Sequence, residues 1–225
     1  MKAFASAAAL AAATLVGTPL LEREPAPLPV HADPLVFSAL RAQACREELL
    51  AGAAPHPVGS PGNDQVRARL VGLLQGRGYA VQTEEGWACS AYGTCARTRD
   101  VFATLPGTGG PADPVLVLSH YDGVGAGPAA SDDGAGASAA LEIARALRQG
   151  SALPRDVRFV FTDGEEAGLL GASAYAAAHG TAASAVVNLE ARGTGGLALL
   201  FETGPKRAAV ADVVSSVVAR PKTSS

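Results

Sequence analysis

A three-layer α/β/α sandwich around a mostly parallel sheet is the fold class this sequence predicts, and three observations predict it. Apolar, valine-containing runs recur at Val115–Leu118, Val157–Phe161 and Ala185–Leu189, as in strands buried on both faces of a parallel sheet. Stretches with helical spacing separate those runs, and such alternation argues for helices packed on a parallel sheet. Each run ends abruptly in polar residues, and in open α/β sheets the carboxyl ends of the strands are where ligands bind. The 225 residues leave room for one good-sized core and a leader. A net charge of −3 gives no basic face for nucleic acid. Gly 26 and Pro 15 suit a loop-rich α/β chain, and no repeat of 20–50 residues is visible.

From the N-terminus, Lys2 precedes an Ala-rich apolar stretch, Ala3–Val16. It is short for a membrane span and suits the core of a signal peptide, or, with Thr18–Leu21, a signal anchor. Residues 1–21 are therefore read as signal peptide or anchor. The Pro-rich residues 22–34 are read as a linker, and 35–225 as one domain. Leu35–Leu50 has helical spacing. Pro55–Asn63, PHPVGSPGN, is turn-rich, with His56 between prolines read as structural. Asn63 or Asp64 is expected to cap a helix reaching Gln75, with Val66, Leu70, Leu73 and Leu74 inward and Gly76 and Gly78 ending it.

Tyr79–Thr83 and Asp100–Leu105 read as strands. Between them Cys89 and Cys95 flank a Gly-containing turn, so export would favour a disulfide and leave Cys45 as a buried thiol. Ala135–Gln149 reads as a helix, with Ala139, Ile143, Ala146 and Leu147 on one face, and Pro154 breaks the chain after it. Helices are also expected over Gly168–Ala178 and Ala208–Ala219, with a further strand at Leu197–Phe201. His179 is expected to face solvent near a helix end.

The chemistry collects at the strand ends. Val115–Leu118 runs into Ser119, His120, Tyr121 and Asp122, and side chains at i and i+2 of an extended chain share one side, so His120 and Asp122 can act together. A Gly-rich loop then delivers Asp132 and Asp133. The next strand ends in Asp163, Gly164, Glu165 and Glu166, and the third in Glu190. So many carboxylates on one sheet edge cannot all stay ionised unpaired. Bound divalent cations resolve that conflict. Imidazole with carboxylate suits zinc better than magnesium or calcium, and the surplus of acids suggests a two-metal site.

The ordered set HYD, DDGAG, DGEEAGLLG and NLE resembles the di-zinc metallopeptidases of the bacterial leucyl aminopeptidase type. PHPVGSPGN and NLEARGTGG are similar to the membrane-associated branch of that family, the endoplasmic reticulum and vacuolar metallopeptidases. The resemblance covers about His56 to Gly204. It implies a zinc-dependent exopeptidase fold, two zinc ions, a peptide substrate and an aminopeptidase activity. It also implies roles. His120 would bind one zinc and Asp122 would orient its imidazole. Asp132 would bridge both ions, ahead of a peptide bond that is often cis in this family. Glu166 would bind the other zinc, and Glu190 would stand where many relatives have Asp. Glu165 would be the general base. With the leader, the catalytic domain is expected outside the cytoplasm, secreted, periplasmic or membrane-anchored through its N-terminus.

The family closes its site with a final His well beyond the NLE strand, and no His follows His179 here. The chain is therefore expected to be an incomplete form of the domain. Carboxypeptidase and glutaminyl cyclase activities on the same fold are the alternative readings, with a non-catalytic module a third. Arg192 is an open case between substrate contact and loop structure.

Overall fold

The computed structural model describes residues 26–191, 199–204 and 207–217. The predicted leader and Arg192 lie outside them. Two compact units are present, one spanning Pro27–Thr194 and the other taking both chain ends. In the second unit the described secondary structure is a helix, Arg207–Val217, where the sequence predicts Ala208–Ala219. The strand expected at Leu197–Phe201 falls partly outside the described residues, and of the remainder only Leu200 takes part in a bridge.

In the first unit, helix α1 (Ala39–Leu49) starts four residues later than its apolar spacing suggests. Ser38 caps it, its hydroxyl accepting from the Arg41 backbone N–H and donating to the carbonyls of Leu28 and Pro29. The Arg41 guanidinium collects the carbonyls of Val30, Ala32, Asp33 and Val36. The Pro-rich segment is thereby wrapped onto α1. Buried Glu142 completes the tie, accepting from Arg41, Arg145 and the Ser38 N–H.

Helix α2 (Pro61–Gly76) is capped by Ser60 rather than by Asn63 or Asp64. The reason is local: Pro61 has no N–H to satisfy and is preset for a first helical position, while the Ser60 hydroxyl accepts from the Asn63 N–H at 3.1 Å. Asn63, released from capping, is fully buried. The chain leaves α2 through Arg77, and Gly78 takes the left-handed conformation that ends it.

Strands β1 (Val81–Cys89) and β2 (Cys95–Leu105) form one long antiparallel hairpin. Both outrun the sequence reading, since the added residues alternate weakly and owe their pairing to cross-strand partners. Cys89 faces Cys95 at the tip and the two are bridged, as expected, and Cys45 is a buried free thiol. Then follow β3 (Val115–His120), α3 (Gly134–Gln149), β4 (Val157–Thr162), α4 (Leu170–His179) and β5 (Ala185–Asn188).

The sheet order is β1-β2-β4-β3-β5. The three apolar runs of the sequence are neighbours, with β3 parallel to both β4 and β5, while β2 joins β4 antiparallel. The sheet is thus parallel at its centre and antiparallel on the hairpin side. Alternation divides its side chains between two layers. Val101, Ala103, Val117, Phe159 and Phe161 meet Leu49, Val66, Leu70, Leu74, Ala140 and Leu141 from α1, α2 and α3. Phe102 and Val160 point the other way, with Tyr175 of α4.

Candidate metal centre

Because β4, β3 and β5 are adjacent and parallel, their carboxyl ends open on one edge. His120 is the last residue of β3, and Asp122 follows two residues on; both are buried. The His120 Nδ1 lies 3.1 Å from the Asp122 carbonyl oxygen and 3.4 Å from its carboxylate. Nε2 is left facing the open edge. There it meets Asp132 Oδ1 at 3.1 Å, Glu190 Oε1 at 3.6 Å and Glu165 Oε2 at 3.9 Å.

The loop after β4 carries the next acids. Asp122 accepts from the Glu165 N–H at 2.9 Å and from the Glu166 N–H at 3.3 Å. One buried carboxylate therefore touches both the imidazole and the turn holding Glu165 and Glu166. Gly164 makes the turn with φ 73°, a conformation glycine adopts without steric cost. The tip of the β1–β2 hairpin covers the same loop: a methyl group added at Gly168 would lie 2.5 Å from the Ser90 Cβ.

Asp132 and Asp133, adjacent in sequence and joined by a cis peptide bond, do different work. Asp133 is fully buried. It caps α3 through the Gly136 N–H at 2.9 Å and accepts from the Ser119 hydroxyl at 2.7 Å and the His120 N–H at 3.3 Å. Asp132 keeps a 43 % exposed side chain turned to His120. Among the described residues, two sets of donor atoms lie within 4.8 Å of one another, His120 with Asp132 and Glu166, and His120 with Asp133 and Glu190. Both Asp133 oxygens are already committed to protein donors, so Asp132 is the better ligand beside Glu190 as well.

The electrostatics fit a cation. Burial disfavours the charged imidazole of His120, but hydrogen bonds with Asp122 and Glu190 and the field of Asp122 and Asp133 outweigh it and hold its pKa up at about 11. Burial, then the Glu190 carboxylate, raises Asp132. Burial also raises Glu165 and Glu166, with neighbouring carboxylates adding to it. Asp133 is pushed up to about 7, chiefly by burial. Glu190 moves the other way: burial opposes its charge, yet hydrogen bonds with His120 and the Ala191 N–H lower it. Without a divalent ion, a protonated imidazole is the only positive charge among these groups. An imidazole with several carboxylates is a donor set suited to zinc.

Of the residues singled out from sequence, His120, Asp122, Asp132, Glu165, Glu166 and Glu190 all meet at this edge. His56 does not join them: it is buried, with Nδ1 at 3.0 Å from the Ala54 carbonyl. His179 lies elsewhere too, paired with Glu84 at 2.9 Å and stacked on Tyr175. A supporting layer is built on Asp163, one of the strand-end acids of the sequence. Asp163 accepts from Asn63 Nδ2 at 2.9 Å and from the Arg99 N–H at 3.0 Å, and its own N–H donates to Asp100 at 2.9 Å. Burial raises Asp163 to about 6 and Asp100 to about 7. Asp100 could have been suspected from its place beside the strand's inward positions Val101 and Ala103; Asn63 carried no signal beyond a cap.

A family model described as peptidase family M28 matches residues 100–225, more than half of the chain. The human protein named endoplasmic reticulum metallopeptidase 1 is 38% identical over 110 residues, 48% of this chain and 12% of that protein. The chain therefore spans a small fraction of that relative's length. Among solved structures, a zinc aminopeptidase from Bacillus subtilis superposes with TM-score 0.69 at 14% identity, over 85% of this chain and 80% of its own. A glutaminyl cyclase from Porphyromonas gingivalis superposes with TM-score 0.67 at 24% identity, over 82% and 70%. At such identities the two structures speak for the shared fold alone.

Proposed function

This chain belongs to peptidase family M28, and we propose that its open sheet edge holds zinc and hydrolyses peptide bonds as an aminopeptidase. One observation carries the reading: Nε2 of His120 faces Asp132, Glu190 and Glu165 at 3.1, 3.6 and 3.9 Å, with Glu166 in the same cluster. His120, Asp132, Glu166 and Glu190 would hold the metal. When bound, zinc would supply Lewis acidity, bringing the pKa of water to about 7 and polarising the scissile carbonyl.

The chain's own residues do the rest. Asp122 fixes the imidazole so that Nε2 points outward, and by accepting from the Glu165 and Glu166 N–H groups it sets the turn that aims both side chains. The carboxylate of Glu165 is 30 % exposed, which lets it reach both protein and substrate. Its pKa is raised by burial, which suits a group that takes a proton from attacking water and returns it to the leaving amine. A peptide's own α-amine would be drawn to the remaining carboxylates. The reading includes a compartment outside the cytoplasm, supported by the Cys89–Cys95 bridge, since such bridges persist in oxidising surroundings.

The test is hydrolysis of aminoacyl anilides and short peptides by the zinc-loaded chain, with His120→Ala as control. Cleavage that depends on zinc and on His120 supports the reading. Release of ammonia from an N-terminal glutaminyl peptide, with no peptide cleaved, would assign the edge to the cyclase chemistry that its second structural neighbour is named for. Neither reaction, at full zinc loading, would refute catalysis here.

A further inference from the structure

We propose that Asn63, at the start of α2, is a positioning residue for the Glu165–Glu166 turn and acts through Asp163; the inference rests on the reading of that turn given above. Asp163 is the residue through which β4 passes into the turn, and its polar groups are tied to β2, α4 and α2. Its N–H donates to the Asp100 carboxylate of β2 at 2.9 Å, and its carbonyl accepts from the Gly171 N–H of α4 at 2.8 Å. One carboxylate oxygen accepts from the Arg99 N–H at 3.0 Å and the other from Asn63 Nδ2 at 2.9 Å. Three of these ties come from the sheet and from the helix that follows the turn. Asn63 alone brings in α2, from 100 residues away in sequence.

The chemistry of the amide argues that its donor is what matters. Asn63 is fully buried, and its Oδ1 has no hydrogen-bond partner. A buried unpartnered oxygen is destabilising, and an apolar residue would avoid it. What Asn63 supplies in exchange is an N–H donor to a carboxylate with 1% residue exposure. The amide orientation follows, because turning Oδ1 toward Asp163 would set two acceptors against each other. Without this donor one Asp163 oxygen loses its hydrogen bond to α2, at the start of the turn. Glu165 and Glu166 are two and three residues further on, and their N–H groups complete the turn by bonding Asp122. A shift of Asp163 is therefore passed to two side chains of the metal edge, although Asn63 touches neither.

The experiment uses the full chain with Asn63→Ala, with Asn63→Asp, and with the exchange Asn63→Asp/Asp163→Asn. The exchange puts the carboxylate on α2 and the amide at position 163. One donor–acceptor contact is kept, and the oxygen at position 163 can still accept from Arg99. Amide hydrogen exchange is measured without metal, and zinc affinity by competition with a chromophoric chelator. In Asn63→Ala, the Gly164–Glu166 amides should exchange at least about tenfold faster while those of α3 keep their rates. Zinc affinity should fall by about 10–100-fold. Asn63→Asp, which opposes two carboxylates, should do worse on both readouts, and the exchanged pair should recover most of each loss. Unchanged exchange in the turn, acceleration spread equally over α3, or an exchanged pair no better than Asn63→Asp would overturn the proposal. If the unaltered chain binds no zinc, the metal reading falls, and the metal-free exchange rates alone decide the role of Asn63.

Discussion

Replacing Asp122 by Asn probes the joint between the imidazole and the acidic turn. The substitution keeps shape and volume, so no cavity forms. Asp122 is buried, its two oxygens accept from the Glu165 and Glu166 N–H groups, and Oδ1 also stands 3.4 Å from His120 Nδ1. An amide has one acceptor oxygen and one N–H₂ group. Whichever way it turns, one backbone N–H faces another donor and a charge-assisted hydrogen bond disappears. Such a bond contributes roughly 1.5–3 kcal/mol, and the orphaned N–H adds about 1 kcal/mol or more. Metal-free stability at pH 7 should therefore fall by about 2.5–4 kcal/mol in urea unfolding. The same change lowers the pKa of His120, because Asp122 is the first of the groups that raise it. The His120 ring signals should titrate well below about 11, and zinc affinity should drop by about 10–100-fold. A variant with unaltered His120 titration, stability within about 0.5 kcal/mol and unaltered zinc affinity would refute the role given to Asp122.

Three further outcomes are expected. Glu165→Gln should keep zinc affinity within a few-fold while turnover falls by about 10²–10⁴-fold; near-normal turnover at full zinc loading would remove Glu165 as the base. In the metal-free protein His120 carries a proton at neutral pH, its pKa standing at about 11, so zinc must displace it. Apparent affinity should rise by up to about tenfold per pH unit between pH 6 and 8, with proton release visible in weakly buffered calorimetry. Asp100 is held near 7 in the fold against an ordinary value of 3.8. A raised carboxylate pKa favours the fold below the unfolded value, and that contribution is lost as pH climbs through the folded one. Metal-free stability should thus decline between about pH 4 and 7. Asp100→Asn, whose oxygen can still accept from the Asp163 N–H, should flatten that decline, an effect bounded at about 4 kcal/mol; an unchanged slope in unfolding curves across that range would contradict it.

Much of the site was legible because it is written next to the strongest fold signal. Each apolar run ends in its polar cluster, so reading the strands already places His120, Glu165, Glu166 and Glu190 on one edge. Residue type and spacing do not separate Asp132 from Asp133; in the sequence only the family resemblance singles out Asp132. They are the same residue type side by side, and only the path of the backbone turns one toward His120 and buries the other as a helix cap. The hairpin was underestimated for a related reason. Thr83–Ala88 has little apolar alternation, and its strand character comes from the partner strand and the bridge at Cys89–Cys95. The cap of α2 was readable in Ser60–Pro61, where a hydroxyl residue precedes a proline preset for the helix. Once Ser60 takes that role, Asn63 is free to face Asp163. That contact spans 100 residues and leaves no mark in local periodicity.

X-ray diffraction at the zinc absorption edge, on crystals of the zinc-loaded chain, would show whether the ends of β3, β4 and β5 hold the metal. An anomalous peak is expected within coordination distance of His120 Nε2, about 2.0–2.1 Å, with an oxygen of Asp132 and of Glu190 or Glu166 as further ligands. A loaded crystal with no peak at the ends of β3, β4 and β5, or with zinc held only by other acidic groups of the surface, would contradict the metal reading.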